Sequence, residues 1–211
     1  MNETTSHDPI STRARLREAA FALFAEKGYD GVSMSQLAER VGLAKPSLYN
    51  YYRSKEELLL DLLEEGIRDW SADCMAPFEV EASFEHQLAD HLLRAVIFAR
   101  EHAPMVALFQ LATLHVEGDL AARVAEVVER NERELRGRLR DRLQAAVEAG
   151  ELEVVSVDDA MGFLGVFFHG LLFLQANCHH DVGPIEARLD EIWRQLFRGL
   201  AGRESQVRIG A

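Results

Sequence analysis

The chain has 211 residues, of which 48% are hydrophobic and 27% are charged, and this balance excludes a disordered or low-complexity protein. Its net charge is −12, but residues 1–55 carry eight basic against six acidic side chains, whereas residues 56–211 carry fifteen against twenty-nine. Residues 1–55 therefore carry a net charge of +2 and residues 56–211 a net charge of −14. This asymmetry fits a protein in which only the N-terminal segment contacts a polyanion.

Cysteine usage and the absence of sorting signals indicate the compartment. Cys74 and Cys178 form no CxxC motif, which excludes a disulfide scaffold and suits a reducing cytosol. The first residues contain no apolar stretch of the secretory type, so we expect a cytoplasmic protein. Residues 160–180 contain no Asp, Glu, Lys or Arg, but they include histidines and amides and lack basic flanks. We interpret them as a buried helix rather than a membrane span.

Helical periodicity runs along almost the whole chain, and no sustained alternation predicts a strand. The first helix is expected to begin near Ser11 and to end at Gly28, which is placed to be its C-cap. Ser33 and Gln36 have the spacing of a capping box and predict the start of a second helix, which ends after two turns at Gly42.

The next two helices also begin with recognisable signals. A third is expected from about residue 45 to residue 52, with Pro46 in its first turn, where proline loses no hydrogen bond. Ser54 and Glu57 form a second capping-box pattern and open the fourth. Beyond it, longer helices are predicted over 84–101, 104–115, 120–149, 157–176 and 184–202. Within 120–149, three i,i+4 pairs predict a solvated helix face: Glu129–Arg133, Glu132–Arg136 and Glu134–Arg138.

The short second and third helices, joined by a glycine turn, are typical of a helix-turn-helix. Leu48 and Tyr52 share one side of the third helix and are expected to face the core. The outward residues are then of types that contact bases and phosphates: Lys45, Pro46, Ser47, Tyr49 and Asn50, with Tyr51 at the boundary. Lys55 opens the fourth helix, where its ammonium and backbone N–H groups could hold a phosphate together. A plain helical hairpin with tyrosines over its core is the alternative.

The run AAFALFAEKGYDGVSMSQLAERVGLAKPSLYNYYRSKEELL closely resembles the DNA-binding domain of TetR/AcrR-type transcriptional regulators, over roughly a quarter of the chain. The resemblance implies an all-α protein of about nine helices, with a helix-turn-helix domain over 1–55 and a helical ligand-binding and dimerisation domain over 56–211. It implies a homodimeric repressor, not an enzyme, that binds a palindromic DNA operator and is released by a small organic effector. It also implies phosphate contacts from Ser33 and Lys55. Asn50, where relatives often have histidine, puts the base preference in doubt, and Tyr52 replaces the usual phenylalanine.

The last two helices carry wide apolar stripes, so four of them from two chains would form a dimer interface. The candidate interface residues are Phe163, Phe167, Leu171, Leu174, Ile185, Leu189, Ile192, Trp193 and Leu196. Burial of both helices within one chain is the alternative.

Polar and aromatic residues in otherwise apolar helices of residues 56–211 indicate a ligand pocket. The alternative for each of them is an ordinary place in the hydrophobic core. The candidates are Trp70, His91, Phe98, Phe109, Gln110, His115, Phe168, His169 and Gln175. Cys178, His179 and His180 lack the spacing of a metal site, so we expect neither a metal nor a cofactor.

Two other classes of function compete with a ligand-responsive repressor. An enzyme or small-molecule carrier would leave the outward polar face of the third helix unexplained, and the sequence displays neither a nucleophile–base pair nor a phosphate loop. An architectural DNA-binding protein without a ligand would leave a body of about 150 residues with dimerisation as its sole purpose.

Overall fold

The computed structural model describes residues 9–153, 156–177, 185–203 and 205–208. Over these ranges the chain is helical and has no strand, which confirms the all-α prediction. In chain order the helices are α1 (Pro9–Lys27), α2 (Met34–Arg40), α3 (Lys45–Leu48), α4 (Lys55–Met75), α5 (Phe84–Glu101), α6 (Ala103–His115), α7 (Gly118–Glu148), α8 (Val157–Asn177) and α9 (Leu189–Ala201). Two 3-10 segments, Ala76–Glu79 and Ile185–Arg188, precede α5 and α9.

Four of the longer helices match their predicted limits closely, whereas α9, predicted over 184–202, begins at Leu189 after a 3-10 segment. α5 has the predicted bounds, and α6, α7 and α8 begin and end within two residues of theirs. On the surface of α7, Arg133 pairs with Glu129 and Arg136 pairs with Glu132, as predicted. The prediction for Arg138 is wrong, because this guanidinium pairs with Glu79, far away in sequence.

The chain divides into two compact units. The head unit comprises the described part of Met1–Gly66 together with Ala107–Val128, and the body unit comprises the described part of Ile67–Val106 and Glu129–Ala211. The division falls within α4, α6 and α7. The boundary expected after residue 55 delimits the DNA-binding segment alone, and it stays a prediction.

Apolar packing and ion pairs hold the head unit together. α1 packs on α2, and α2 packs on α3. The fully buried side chains include Leu16, Phe24, Leu37, Leu48, Leu58 and Leu62. At the surface, Arg17 of α1 bonds to Asp61 at 3.1 Å and to Glu65 at 2.7 Å, both on α4. Partly exposed pairs of this kind each stabilise the fold only slightly, so burial of the apolar side chains dominates.

In the body unit, α8 and α9 pack against α5. The core contains Leu88, Leu92 and Val96 of α5, Leu164 of α8, and Trp193 and Phe197 of α9, all less than 2% exposed. These side chains are large and apolar, so their burial supplies most of the favourable free energy of folding in this unit.

A buried carboxylate ties the end of the chain to α5. Glu85 accepts hydrogen bonds from the Ser205 hydroxyl at 2.7 Å and from the backbone N–H groups of Gln206 and Val207 at 2.6 and 3.3 Å. Burial acts to raise the pKa of Glu85, but these hydrogen bonds outweigh it and hold that pKa below its usual value. We call residues 205–207 the C-terminal strap.

Candidate nucleic-acid interface

The start of α2 is fixed by the capping box that the sequence predicts. The N–H of Gln36 donates to the Ser33 hydroxyl at 3.3 Å, and the N–H of Ser33 donates to the Gln36 side chain at 2.8 Å. After α2, Gly42 adopts a φ of +71°, and the N–H of Leu43 reaches back to the Ala38 carbonyl at 2.8 Å. A left-handed residue that closes such a bond ends a helix abruptly, so the chain turns at once toward α3.

α3 is shorter than the sequence predicts. It covers one turn, Lys45–Leu48, with Pro46 as its second residue, and does not extend to Tyr52. Beyond Leu48, the N–H groups of Asn50 and Tyr51 bond to carbonyls three residues back, and the N–H of Tyr52 bonds to the Leu48 carbonyl four residues back. These bonds form consecutive turns rather than a longer regular helix. The expected eight-residue helix is therefore a single turn followed by a tight hydrogen-bonded segment.

Two side chains anchor this segment in the core, as predicted. Leu48 is fully buried and Tyr52 is 1% exposed. The Tyr52 hydroxyl donates to Asp61 at 2.6 Å and accepts from the Arg13 guanidinium at 3.2 Å. Burial, followed by the hydrogen bond to Asp61, raises the pKa of Tyr52 above its usual value. A hydrogen bond to an ionised carboxylate is among the stronger contacts available to a tyrosine, and here it adds to the apolar anchoring by Leu48 and the Tyr52 ring.

The opposite side of the segment faces solvent. Tyr49 is 42% exposed, and Lys45, Pro46 and Asn50 are exposed as well. Ser47 and Tyr51 are half-buried, and Ser33 is exposed at the start of α2. An ammonium, an amide and a phenol thus project from a segment whose backbone is fixed from behind, which is the arrangement that recognition of base edges and phosphates requires.

Lys55, the remaining residue of the predicted interface, is half-buried and already has a partner. Its ammonium donates to the Tyr29 carbonyl at 2.7 Å and lies 4.0 Å from the centre of the Tyr29 ring. The predicted cap of α4 is present, since the N–H of Glu57 donates to the Ser54 hydroxyl at 3.1 Å. The Glu57 carboxylate accepts from the N–H of Arg53 rather than from that of Ser54. Lys55 therefore lies at a helix N-terminus, within a positive local potential that favours an anion.

Sequence reasoning missed the residues that hold this interface in position. Arg13 and Asp61 are 39 and 9 residues from Tyr52, and Tyr29 is 26 residues from Lys55. The single available signal was the tyrosine at position 52, since its hydroxyl requires a partner once it is buried.

The predicted ligand residues are divided between the two units. In the body unit, Trp70 packs edge-on to Phe98 at 5.4 Å, and His91 packs against Phe168 at 4.6 Å. The His91 ring also lies 2.5 Å, through Nδ1, from the Cys74 carbonyl, and burial lowers the pKa of His91. These four side chains therefore form two aromatic contacts around α5.

The other ligand candidates occupy different positions. Gln175 donates through Nε2 to the Val96 carbonyl at 2.9 Å, whereas its buried Oε1 has no hydrogen-bond partner among the described residues. His169 is exposed and lies 3.6 Å from Glu132, and this carboxylate raises the pKa of His169. Phe109, Gln110 and His115 belong to the head unit, and the ligand-binding set stays a prediction.

The predicted dimer residues differ in burial between α8 and α9. On α8, Phe163 and Leu174 are each 40% exposed, Phe167 is half-buried and Leu171 is buried. Ile185, Leu189, Trp193 and Leu196 are buried within their own chain, and Ile192 is half-buried. These side chains of α9 and of the segment before it are packed within their own chain, and the dimer interface stays a prediction.

α8 is long and apolar enough, over Val157–Gln175, to cross a membrane by length and composition, and 22% of that window is buried.

Among the described residues, no group of three or more His, Cys, Asp or Glu side chains is arranged to hold a metal ion. Cys178, His179 and His180 lie outside the described residues.

Comparison with known proteins finds a family match for the N-terminal part of the chain. Residues 16–62, which span α1 to the first half of α4, match the model of the bacterial regulatory proteins of the tetR family. Residues 16–62 are a TetR-type segment. The TetR-type segment is 40% identical over 60 residues to the transcriptional repressor KstR2 of Mycobacterium tuberculosis, a match that covers 28% of this chain and 30% of KstR2.

Solved structures extend the TetR likeness to the whole fold. FadR of Bacillus subtilis, solved in complex with stearoyl-CoA, superposes with a TM-score of 0.73 at 18% identity, over 90% of this chain and 99% of FadR. AibR, solved with isovaleryl coenzyme A and operator DNA, gives a TM-score of 0.67 at 16% identity, over 90% and 98% of the two chains. The chain therefore has the helical fold of those proteins over most of its length.

Proposed function

We propose that this protein is a cytoplasmic, non-enzymatic transcriptional regulator that binds a palindromic operator as a homodimer and represses transcription until a small organic effector releases it. The observation that carries the proposal is the two-sided segment after α2. Leu48 and Tyr52 fix it from the core, while Lys45, Tyr49 and Asn50 project into solvent. A plain helical hairpin would give these polar side chains no role.

A second subunit is supported by the uncovered apolar face of α8. Val166 is 78% exposed, and Phe163, Phe173 and Leu174 are each at least 40% exposed. Contiguous exposed apolar side chains on a folded protein indicate an interaction surface, and a second copy of α8 would cover them in a closed, two-fold arrangement. Two heads about 34–36 Å apart would then read one palindrome.

An effector is supported by the unsatisfied polar chemistry inside the body unit. The buried Oε1 of Gln175 lacks a donor among the described residues, and the aromatic pairs Trp70–Phe98 and His91–Phe168 lie in the same unit. A ligand with an apolar body and a hydrogen-bond donor would satisfy both features. Because FadR and AibR were solved with acyl-CoA thioesters, acyl-CoAs are the first compounds to test.

Selection of binding sites from random duplexes with the purified protein, followed by gel shift, tests the proposal. We expect enrichment of a palindrome and its release by an effector. Failure to enrich any palindrome would refute the repressor, and release by no compound would favour an architectural DNA-binding protein.

Variants test the residues of the interface. Tyr49→Ala should lower operator affinity about tenfold or more without a change in helical content, because it removes a ring and a hydroxyl that face the DNA. Lys55→Ala should also reduce the slope of log affinity against log salt concentration by about one for each phosphate that the lysine neutralises. Arg133→Ala is the matched control, since it removes an exposed positive charge from the body unit. An unchanged affinity and salt slope in Lys55→Ala would contradict the phosphate role.

A further inference from the structure

A cleft of about 510 Å³ opens within the head unit. One wall is the loop after α1, with Tyr29 and Asp30, and the other wall is formed by Leu111 and His115 of α6 and Glu117 at the start of α7. We call it the head cleft. It is distinct from the effector region proposed above, since that region belongs to the body unit.

The chemistry of the head cleft favours a cation. Its polar lining contains the two exposed carboxylates of Asp30 and Glu117 against the single ammonium of Lys27. Burial is the main cause that raises the pKa of Tyr29 to about 12, and the negative charges of Glu56 and Asp30 add to it. The Lys55 ammonium already lies 4.0 Å from the centre of the Tyr29 ring, so the groups left to attract an organic cation are the two carboxylates beside an apolar wall.

The apolar part of the lining sets the other requirement. Leu111 and Leu120 supply aliphatic surface beside the Tyr29 ring, so an inorganic cation would leave this surface unused. A ligand that carries an aromatic or aliphatic group would cover it and gain the free energy of burying apolar area.

Both walls of the cleft are bonded to the first turn of α4. The Tyr29 carbonyl accepts from the Lys55 ammonium at 2.7 Å, and Arg123 of α7 pairs with Glu56 at 2.8 Å. A ligand that shifts either wall therefore shifts the residues beside Lys55. We propose that the head cleft is a second effector site, which binds small organic cations with an apolar body and weakens DNA binding through Tyr29 and Lys55. Its effect on DNA rests on the proposed function, whereas its binding chemistry does not.

Titration calorimetry with benzyltriethylammonium tests the binding site without DNA. We expect this cation to bind the wild type at least tenfold more tightly than benzoate. The double variant Asp30→Asn/Glu117→Gln should weaken the cation about tenfold, since each exposed ion pair contributes a factor of about two to five. Glu126→Gln, an exposed acid elsewhere on α7, is the matched control and should bind as the wild type does. Absence of binding, equal binding of benzoate or unchanged affinity in the double variant would overturn the proposal.

Fluorescence anisotropy with a labelled duplex at low salt tests the coupling. Saturating benzyltriethylammonium should weaken duplex binding by the wild type at least threefold, compared with tetramethylammonium at the same ionic strength. Lys55→Ala should lose this response. If the wild type binds no duplex while calorimetry still detects the cation, the proposed function fails and the site stands. If the cation binds and duplex affinity does not change, the coupling through Tyr29 and Lys55 is refuted.

Discussion

Replacement of Tyr52 by phenylalanine isolates the anchor of the candidate interface. The variant keeps the ring, which is 1% exposed, and removes the hydroxyl that donates to Asp61 at 2.6 Å. A hydrogen bond to a charged group stabilises a folded protein by about 1.5–3 kcal/mol. Asp61 is 26% exposed and keeps its bonds to Arg13 and Arg17, so its carboxylate stays largely satisfied. We therefore expect Tyr52→Phe to lower the free energy of unfolding by about 1–2 kcal/mol, or about 2–8 °C in Tm.

Urea unfolding at pH 7 measures the effect, and a double-mutant cycle assigns it. In an Asp61→Ala background the hydroxyl has no charged acceptor, so Tyr52→Phe should cost less than about 0.5 kcal/mol. Operator affinity should stay unchanged in Tyr52→Phe, because the outward residues keep their support. An equal loss of stability in the two backgrounds would refute the reasoning.

The pH dependence of the same variant has a defined sign. Burial acts to raise the pKa of Asp61, but the hydrogen bonds from Tyr52 and Arg17 outweigh it and hold that pKa below its usual value. A depressed pKa stabilises the fold above the unfolded pKa of about 3.9, and this stabilisation is lost as the pH falls through the folded pKa. The difference between wild type and Tyr52→Phe should be constant from pH 6 to 8 and should shrink below about pH 4.

Three further predictions concern other parts of the chain. Under the proposed function, Val166→Glu should convert the dimer to a monomer in sedimentation equilibrium, whereas Leu114→Glu, at an exposed apolar residue of α6, should not; a persistent Val166→Glu dimer would argue against the α8 interface. Glu85→Gln should destabilise the body unit by about 1–3 kcal/mol and speed amide exchange at Gln206, and unchanged exchange there would contradict the role of the strap. Leu48→Ala should lower the free energy of unfolding by about 3–5 kcal/mol, measured by urea unfolding, and a loss below about 1 kcal/mol would show that the anchor is not tightly packed.

Local signals in the sequence predicted the features that depend on neighbouring residues. The Ser33–Gln36 capping box forms as expected because both partners lie within one helical turn. The sides of Leu48 and Tyr52 were predicted for the same reason. The length of α3 was predicted wrongly. The periodicity of residues 45–52 fits an eight-residue helix and a one-turn helix followed by tight turns equally well.

Tertiary contacts account for the remaining errors. The i,i+4 spacing of Glu134 and Arg138 predicted an ion pair, but the Arg138 guanidinium pairs with Glu79, which is distant in sequence. The apolar stripe of α9 indicated burial correctly, yet a stripe does not specify whether its partner is the same chain or another copy. Trp193 illustrates this, since its indole N–H donates to Ser205 of its own C-terminal strap at 2.7 Å.

In the segment after α2, the residues that hold the backbone in place are buried, and the residues available to contact DNA are exposed. Exposed substitutions away from caps and cores usually change the free energy of unfolding by less than about 0.5 kcal/mol, and Lys45, Tyr49 and Asn50 are all exposed. Under the proposed function, new DNA preferences can therefore arise by point mutation without any compensating change elsewhere. The same property makes these three positions a suitable small library for retargeting the protein to a chosen promoter.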